Sequence, residues 1–318
     1  MTTPPHGSSL ITADVGVALG CLQRGGLVAI PTETVYGLAA DAEDEEAVAR
    51  IFEVKGRPVG HPLIVHLADA GELAGWAADV PPAAELFAAA CWPGPLTLLL
   101  RRGRRVLDAV TGGRANVGLR VPAHQATTEL LRRSGCGLAA PSANRFGRVS
   151  PTTAADVFAD LGPLLDPARD AILDGGASPV GVESTIVDCT TNPPQLLRPG
   201  GIPADDLERL LDAELAPASG PSRAAGMLTA HYAPAATVLL VDDRAAAARA
   251  VVAVERDGGR ALVIDHGNDL VTYARMLYRQ LRDADVEEAT HVVAVLPPAR
   301  GLGHAIRDRL TKASAASS

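Results

Sequence analysis

From about residue 26 to residue 265, short apolar runs alternate with longer amphipathic stretches, as in a chain that lays helices against a sheet. GLVAI, which ends at Pro31, reads as a strand, and so do PLIVHL, PLTLLL, NVGLRVP and STIVDCT. DEEAVARIFEVK reads as a helix whose acidic first turn suits the positive end of the helix dipole. AHQATTELLRRSG reads as another, closed by Gly135. Between about residues 212 and 234 the periodicity is lost, and AELAPASGPSRAAGMLTAHYAP has the Ala, Pro, Gly and Ser content of a linker. Beyond it TVLLV, ALVID and HVVAV alternate with helical patterns at 244–256, around 270–282 and in GLGHAIRDRLTKA, which predicts a small parallel-sheet domain. The expected organisation is a larger α/β domain over 10–211, a linker over 212–235 and an accessory α/β domain over 236–318. No internal repeat is present.

Composition narrows the class. The chain has 318 residues, 47% hydrophobic and 21% charged, which suits a soluble protein of about two domains. Its net charge of −8 gives no general attraction to nucleic acid or anionic membrane, so any anion site has to be a local pocket. Cys21, Cys91, Cys136 and Cys189 are far apart without a C-x-x-C pair, which argues against zinc and redox motifs and for buried, reduced thiols. MTTPPHGSSL lacks a basic segment followed by an apolar run, and no apolar stretch is long enough to span a bilayer. The expected location is cytoplasmic, with no membrane partner.

Basic residues number 29, and only Lys55 and Lys312 are lysines. Lysine is a compact point charge with three rotatable donors, whereas arginine is a planar fork, so a lysine in VKGRPVGHP suggests a short-range contact to an anion. P-loop, nucleophile-elbow, zincin and kinase motifs are absent, and GLGHAI lacks the third glycine of a dinucleotide fingerprint. What remains is a dispersed set of polar residues at strand ends, the arrangement by which an open α/β sheet binds a ligand in its crevice. The segments are PTETVYG (31–37), KGRPVGHPLIVH (55–66), NVGLRVPAH (116–124), PSANRFGRVS (141–150), GVESTIVD (181–188) and LRPGGI (197–202). Lys55, Arg57, Arg120, Arg145, Arg148 and Arg198 would make the crevice cationic and its ligand a small polyanion. Taken singly each piece has a plainer use: Thr32 and Thr34 as strand formers, Ser142 and Asn144 in a turn, His66 as a packed histidine, Glu183 as a turn cap. Six such pieces in one order are not coincidence.

In that order the chain resembles the threonylcarbamoyl-AMP synthases, in the long form with a YrdC-like domain, a linker and a C-terminal accessory domain. The resemblance runs from about residue 16 to the end. It rests on the K-x-R of Lys55 and Arg57 and the S-x-N of Ser142 and Asn144, supported by PTETVYGL, GVESTIVD, LRPG, HYAP and LPPARGLGHAIRDRLTKA. It implies a twisted open mixed sheet beside a smaller Rossmann-like parallel sheet. It also implies a nucleotidyltransferase that condenses L-threonine, bicarbonate and ATP to threonylcarbamoyl-AMP and pyrophosphate, for the t6A base of tRNA. Mg2+ would be carried with ATP, since no carboxylate cluster offers a cage. tRNA or a downstream t6A transferase complex would be the macromolecular partner.

By matched position, Lys55, Arg57, His61, Asn116, Ser142, Asn144, Ser150 and Arg198 are expected on the nucleotide and phosphate side, with Lys55, Arg57, Ser142 and Asn144 as the catalytic set. Thr34, His66, Arg120, the backbone at Ala140, and Ser184 are expected to hold threonine, with Tyr36 closing the same wall. Tyr232 is expected to come from the linker over the nucleotide. That linker, punctuated by Gly220, Pro221, Gly226 and Pro234, also carries Met227 and His231, residues a tether does not need, and reads as a lid. His61 stands where such chains often have asparagine, Asn116 where threonine is usual, and Gln125 where proline often follows A-H. His61 and Asn116 can still donate a hydrogen bond to phosphate. Two other readings are a carbamoyltransferase that handles carbamoyl-adenylate, for which the chain lacks the extra modules, and an RNA-binding YrdC-like module, against which the acidic charge and 3% aromatic content count.

Overall fold

The computed structural model describes residues 10–220 and 231–316. Pro221, Gly226 and Met227 of the expected lid lie outside the described residues. Among the described residues the larger sheet has eleven strands. From one edge it runs Ile11–Thr12, Ala171–Leu173, Val28–Ile30, Gly37–Asp41, Leu138–Ala139 and Ile64–His66, and continues through Asn116–Arg120, Leu96–Arg101, Thr185–Asp188, Gln195–Arg198 and Ala216–Pro217. It is mixed: Ile64–His66 pairs parallel with Asn116–Arg120 and antiparallel with Leu138–Ala139. The smaller sheet is parallel, with His291–Val295 between Thr237–Val241 and Ala261–Ile264, and is covered by helices Arg244–Arg256, Leu270–Val286 and Gly303–Ala316. The α/β class, with a mixed sheet and a second small parallel sheet, is the one expected. No described helix is long and apolar enough to cross a membrane.

The helix Glu45–Lys55 shows how local sequence places a site residue. Asp44 caps it by accepting from the Ala47 amide at 3.0 Å, and Gly56 ends it with φ at 60°. Val48, Ile51, Phe52 and Lys55 share one face at helical spacing and all are buried. The lysine is therefore carried inward on an apolar stripe. Elsewhere the pattern was less direct. The strand expected over GLVAI is confined to Val28–Ile30, and the helix expected to end near residue 282 continues to Val286. Ala216–Pro217, within the segment of linker composition, pairs with Gln195 and Leu196 at the sheet edge.

One apolar core lies under the large sheet, around Leu38, Trp76, Phe87 and Leu119. A second surrounds Tyr273, Leu277, Tyr278 and Leu281 of the C-terminal domain, and it also takes in Val35, Val149, Val182 and Tyr232. Those four come from the strand-end loops and from HYAP. The site loops are packed into the second domain's core. Of the cysteines, Cys21 and Cys189 are buried as expected, whereas Cys91 and Cys136 are only half-buried; all four are free thiols.

Candidate active site

Three groups of strand ends meet around one cavity of about 60 Å³. The first is fixed by the large sheet. His66 and Arg120 lie opposite each other in the parallel ladder. The Ala140 amide, just past Leu138–Ala139, donates to the Ile64 carbonyl at 2.9 Å. The turn after Val28–Ile30 adds Thr32 and Thr34, with Thr32 Oγ1 donating to the Val35 carbonyl at 2.6 Å. Arg120 then joins strand and turn: its Nη1 donates to Thr34 Oγ1 at 3.0 Å, its Nε to the Gly94 carbonyl at 3.2 Å, and its Nη2 is 2.8 Å from Glu33 Oε2.

The second group is built from GVEST and LRPG. Arg198, at the end of its strand, donates from Nε and Nη2 to the Ser184 carbonyl at 3.1 and 2.8 Å, and from Nη2 to Ser184 Oγ at 3.2 Å. Ser184 Oγ also lies 2.8 Å from Thr97 Oγ1. The third group is Arg57, Pro141 and Ser142, closed over by His231 and Tyr232. The Ala233 amide donates to the Gly147 carbonyl at 3.0 Å and the His231 amide to Lys312 at 3.3 Å, so the HYAP segment is tied to both domains.

Three arginines, Arg57, Arg120 and Arg198, line the cavity against one carboxylate, Glu183. Burial lowers the pKa of Arg57 to about 10, far enough above neutrality to keep it charged. Burial, and then the Arg120 charge, pushes His66 down to about 3. Burial likewise pushes His231 to about 3, with Glu183 opposing and Lys55 and Arg57 adding to the fall. Both imidazoles are therefore neutral at pH 7. Arg57 Nε, His66 Nδ1 and His231 Nδ1 are buried with no protein partner among the described residues. Buried polar atoms are rarely left so, and here they surround a cavity that a polar ligand can fill.

Thr34, Tyr36, Arg57, His66, Arg120, Ala140, Ser142, Ser184, Arg198 and Tyr232 line the cavity; Lys55, His61, Asn116, Asn144 and Ser150 do not. Lys55 sits behind it, only 2% exposed, donating to the Ser142 carbonyl at 2.6 Å and to the Asn144 carbonyl. Its place on the buried helix face makes it a pin for the S-x-N loop, where direct contact with phosphate had been expected. Burial, and then the Arg57 charge, moves its pKa well below the ordinary lysine value. Asn144 shapes the same loop by donating to the Arg145 and Arg148 carbonyls at 2.7 and 2.8 Å. The His61 ring packs edge-on to Phe146, 5.5 Å away, and Asn116 begins its strand opposite Arg101. Ser150 Oγ donates to Glu183 Oε1 at 2.7 Å.

Two of the cations expected in the crevice also lie elsewhere. Arg145 is exposed, and Arg148 reaches outward to Asp285 at 3.1 Å. The Tyr36 hydroxyl turns away from the cavity and donates to the Gly176 carbonyl at 2.7 Å. Glu183 is no turn cap: Ser150, Tyr278 and Arg309 all bond its carboxylate. Sequence reasoning missed Glu33, Tyr278 and Arg309. The TET of PTETVYG held a signal for the first, because a glutamate between two inward threonines needs a buried cation. Among the described residues no three His, Cys, Asp or Glu side chains gather as a metal cage.

Comparison with known proteins shows the family. Residues 20–200 match the family described as Telomere recombination, and residues 202–315 match the threonylcarbamoyl-AMP synthase C-terminal domain. The threonylcarbamoyl-AMP synthase of Pyrococcus abyssi is 40% identical over 322 residues, covering 94% of each chain. That of Bacillus subtilis is 36% identical over 324 residues, covering 94% of this chain and 92% of its own. The crystal structure of P. abyssi Sua5 complexed with L-threonine superposes with a TM-score of 0.89 at 38% identity, over 95% of this chain and 94% of that one. With matches over both domains and nearly the full length of these relatives, this chain belongs to the threonylcarbamoyl-AMP synthase family.

Proposed function

We propose that the protein condenses L-threonine, bicarbonate and ATP into threonylcarbamoyl-AMP and pyrophosphate, in the pathway to t6A in tRNA, and is thus a nucleotidyltransferase. The observation that carries the reading is the cavity lined by three guanidinium groups, with Arg309 behind them as a fourth, against two carboxylates, Glu33 and Glu183, already paired with Arg120 and Arg309. Such a site favours a small polyanion. Among the described residues it contains no activated nucleophile, and the reaction needs none. The threonine amine adds to bicarbonate-derived carbon dioxide with loss of a proton. A carbamate oxygen then attacks the α-phosphorus as the bond to the β-phosphate oxygen breaks and pyrophosphate leaves. Positioning and cationic stabilisation supply the rate enhancement.

In this reading Arg120, Thr34, His66, the backbone at Ala140, and Ser184 receive threonine, with Arg120 taking its carboxylate. A neutral His66 can accept or donate a hydrogen bond without repelling the threonine ammonium. Arg57 and Arg198 meet the phosphates, Ser142 adds a hydroxyl, and Lys55 with Asn144 holds that loop in shape. ATP would enter as its Mg2+ complex, and since no carboxylate cluster stands among the described residues, the substrate would carry most of the metal's coordination. A 60 Å³ cavity is far below the roughly 300–1,000 Å³ of small-molecule sites, so His231 and Tyr232 would have to yield space as nucleotide binds. The test is pyrophosphate release from the full-length protein. Release that requires threonine, bicarbonate and ATP together supports the reading, and release without threonine removes it. tRNA as a direct partner would be checked by its binding across a salt titration.

A further inference from the structure

One buried carboxylate joins the C-terminal domain to the active-site loops. Glu183 is 7% exposed and sits beside Ser184. Tyr278, on helix Leu270–Val286, places its hydroxyl 2.9 and 2.8 Å from the two Glu183 oxygens. Arg309, on helix Gly303–Ala316 and fully buried, donates from Nε to Glu183 Oε2 at 2.7 Å and from Nη1 to the Pro199 carbonyl at 3.0 Å. One guanidinium therefore ties GVEST, which carries Ser184, to LRPG, which carries Arg198. Ser150 joins a third loop to the same carboxylate. Arg282 adds to that third contact by bonding the Val149 carbonyl while forming a paired bridge to Asp160 at 3.0 and 2.7 Å.

We propose that Arg309 and Tyr278 are positioning residues of the active site, which act through Glu183 to hold Ser184 and Arg198 at the cavity. The close fit between the domains supports this. Gly181 has φ at 81°, and a Cβ there would stand 2.4 Å from the Arg275 Cα, so the helix backbone rests directly on the start of GVEST. Tyr232 is held in the same contact, its ring 5.3 Å from the Arg309 guanidinium and 5.6 Å from the Tyr278 ring. A buried ion pair kept for stability alone gains little over an apolar pair. This one spans two domains and connects the loops that form one wall of the cavity, which gives it a task that an apolar pair cannot perform.

The proposal deepens the reaction proposed above and rests on it for its kinetic readout. Tyr278→Phe and Arg309→Lys are made in the full-length protein, the first losing only a hydroxyl and the second keeping the charge but losing the fork. KM for threonine and ATP, kcat, melting temperature and amide exchange are measured. The Gly201 amide, which donates to the Glu183 carbonyl at 3.0 Å, reports loop order. Both variants should fold. In Tyr278→Phe both KM values should rise on the order of tenfold, with faster exchange at Gly201. Arg309→Lys should retain more activity than Arg309→Ala. Wild-type KM values in Tyr278→Phe, or a lowered melting temperature with unchanged KM, would overturn the proposal. If Arg309→Lys fails to fold, Tyr278→Phe decides. If the wild-type protein releases no pyrophosphate, the reaction is refuted separately, and calorimetric L-threonine binding with Gly201 exchange still decides the positioning role.

Discussion

Arg120 and Arg198 are each 4% exposed and line the same cavity, yet they are held in different ways. Arg120 sits at the end of a central strand, and its countercharge, Glu33, belongs to the neighbouring turn of the same sheet. Arg198 sits nearer the sheet edge and bonds the carbonyl and hydroxyl of Ser184, whose loop is anchored from the C-terminal domain. The ion pair of one wall is therefore complete within the large sheet, and that of the other is finished by a second domain. The lesson is that a buried cation's effect on stability depends on what its loss leaves behind. Its effect on binding depends on what holds it in place.

Arg120→Ala should sharpen the contrast most. It leaves the Glu33 carboxylate buried without its cation, a change that typically costs about 3–5 kcal/mol. Arg198→Ala strands no carboxylate, because Glu183 keeps Arg309, and the cost should be nearer the roughly 1–3 kcal/mol of lost charge-assisted hydrogen bonds. Denaturant unfolding of the two proteins measures the difference, and equal losses would erase the distinction between the walls. In Arg120→Ala, a second change, Glu33→Gln, should recover part of the stability without restoring threonine turnover.

Lys55 belongs to neither arginine wall, and its removal should cost less than that of Arg120. Lys55→Ala opens a small void and leaves the Ser142 and Asn144 carbonyls without their shared donor, a loss of about 1–3 kcal/mol. Turnover should fall as well, because the S-x-N loop loses its pin. Lys55→Arg should rescue poorly, since a planar fork does not fit where a point charge meets two carbonyls. Melting curves and rates check both, and an arginine variant of normal rate and stability would show that any cation suffices.

How much of this was legible beforehand can be argued from the same residues. His66 and Arg120 were visible because each ends a strand read from its apolar run, and Ser184 because it stands just before one, and the ordered motifs named ten of the cavity's residues. The inward turn of Lys55 was also present in the sequence, as the fourth member of the stripe Val48, Ile51, Phe52 and Lys55, but a charge is usually read as solvated. Tyr278 and Arg309 were not legible. Helical spacing shows that each lies on an inward face, but their partner Glu183 is 95 and 126 residues away, and only tertiary packing brings the three together. Helices Val15–Gln23 and Pro82–Cys91 escaped notice because alanine and glycine blur their amphipathic contrast.

Acid should affect the walls in sequence. His66 has a folded pKa near 3 against an ordinary 6.5, so below pH 6.5 the unfolded chain binds a proton that the folded one refuses. Its contribution is complete above pH 6.5 and is lost as pH falls towards 3, about 2 kcal/mol between pH 7 and 5. His231 adds a loss of the same sign in the same window. For Glu183, burial alone would raise the pKa, but Arg309 and Arg198 with the hydrogen bonds from Arg309 and Ser150 bring it to about 2. Its contribution is complete above 4.5 and is lost as pH falls through 4.5 towards 2. Stability against pH should therefore decline first through the histidines and more steeply below 4.5. In His66→Gln the early decline should fall to about half, the part due to His231, while the late one remains. An unchanged early decline would place its origin elsewhere.

The smallest expected effect belongs to Tyr36, which was expected to close the threonine wall. Its hydroxyl donates to the Gly176 carbonyl at 2.7 Å and accepts from the Gly175 amide at 3.2 Å, which joins PTETVYG to the turn after Ala171–Leu173. Burial raises its pKa to about 12, with the Gly175 amide opposing, so it stays protonated throughout the working range. Tyr36→Phe keeps the ring, which leaves the cavity wall in place. It removes two neutral hydrogen bonds from the sheet's own wall, each worth about 0.5–1.5 kcal/mol. Threonine and ATP KM should stay within about twofold of wild type while the melting temperature drops by a few degrees. A large rise in threonine KM would mean that the hydroxyl turns towards the amino acid when substrate binds. The sheet-bound wall would then be no more rigid than the one finished by the C-terminal domain.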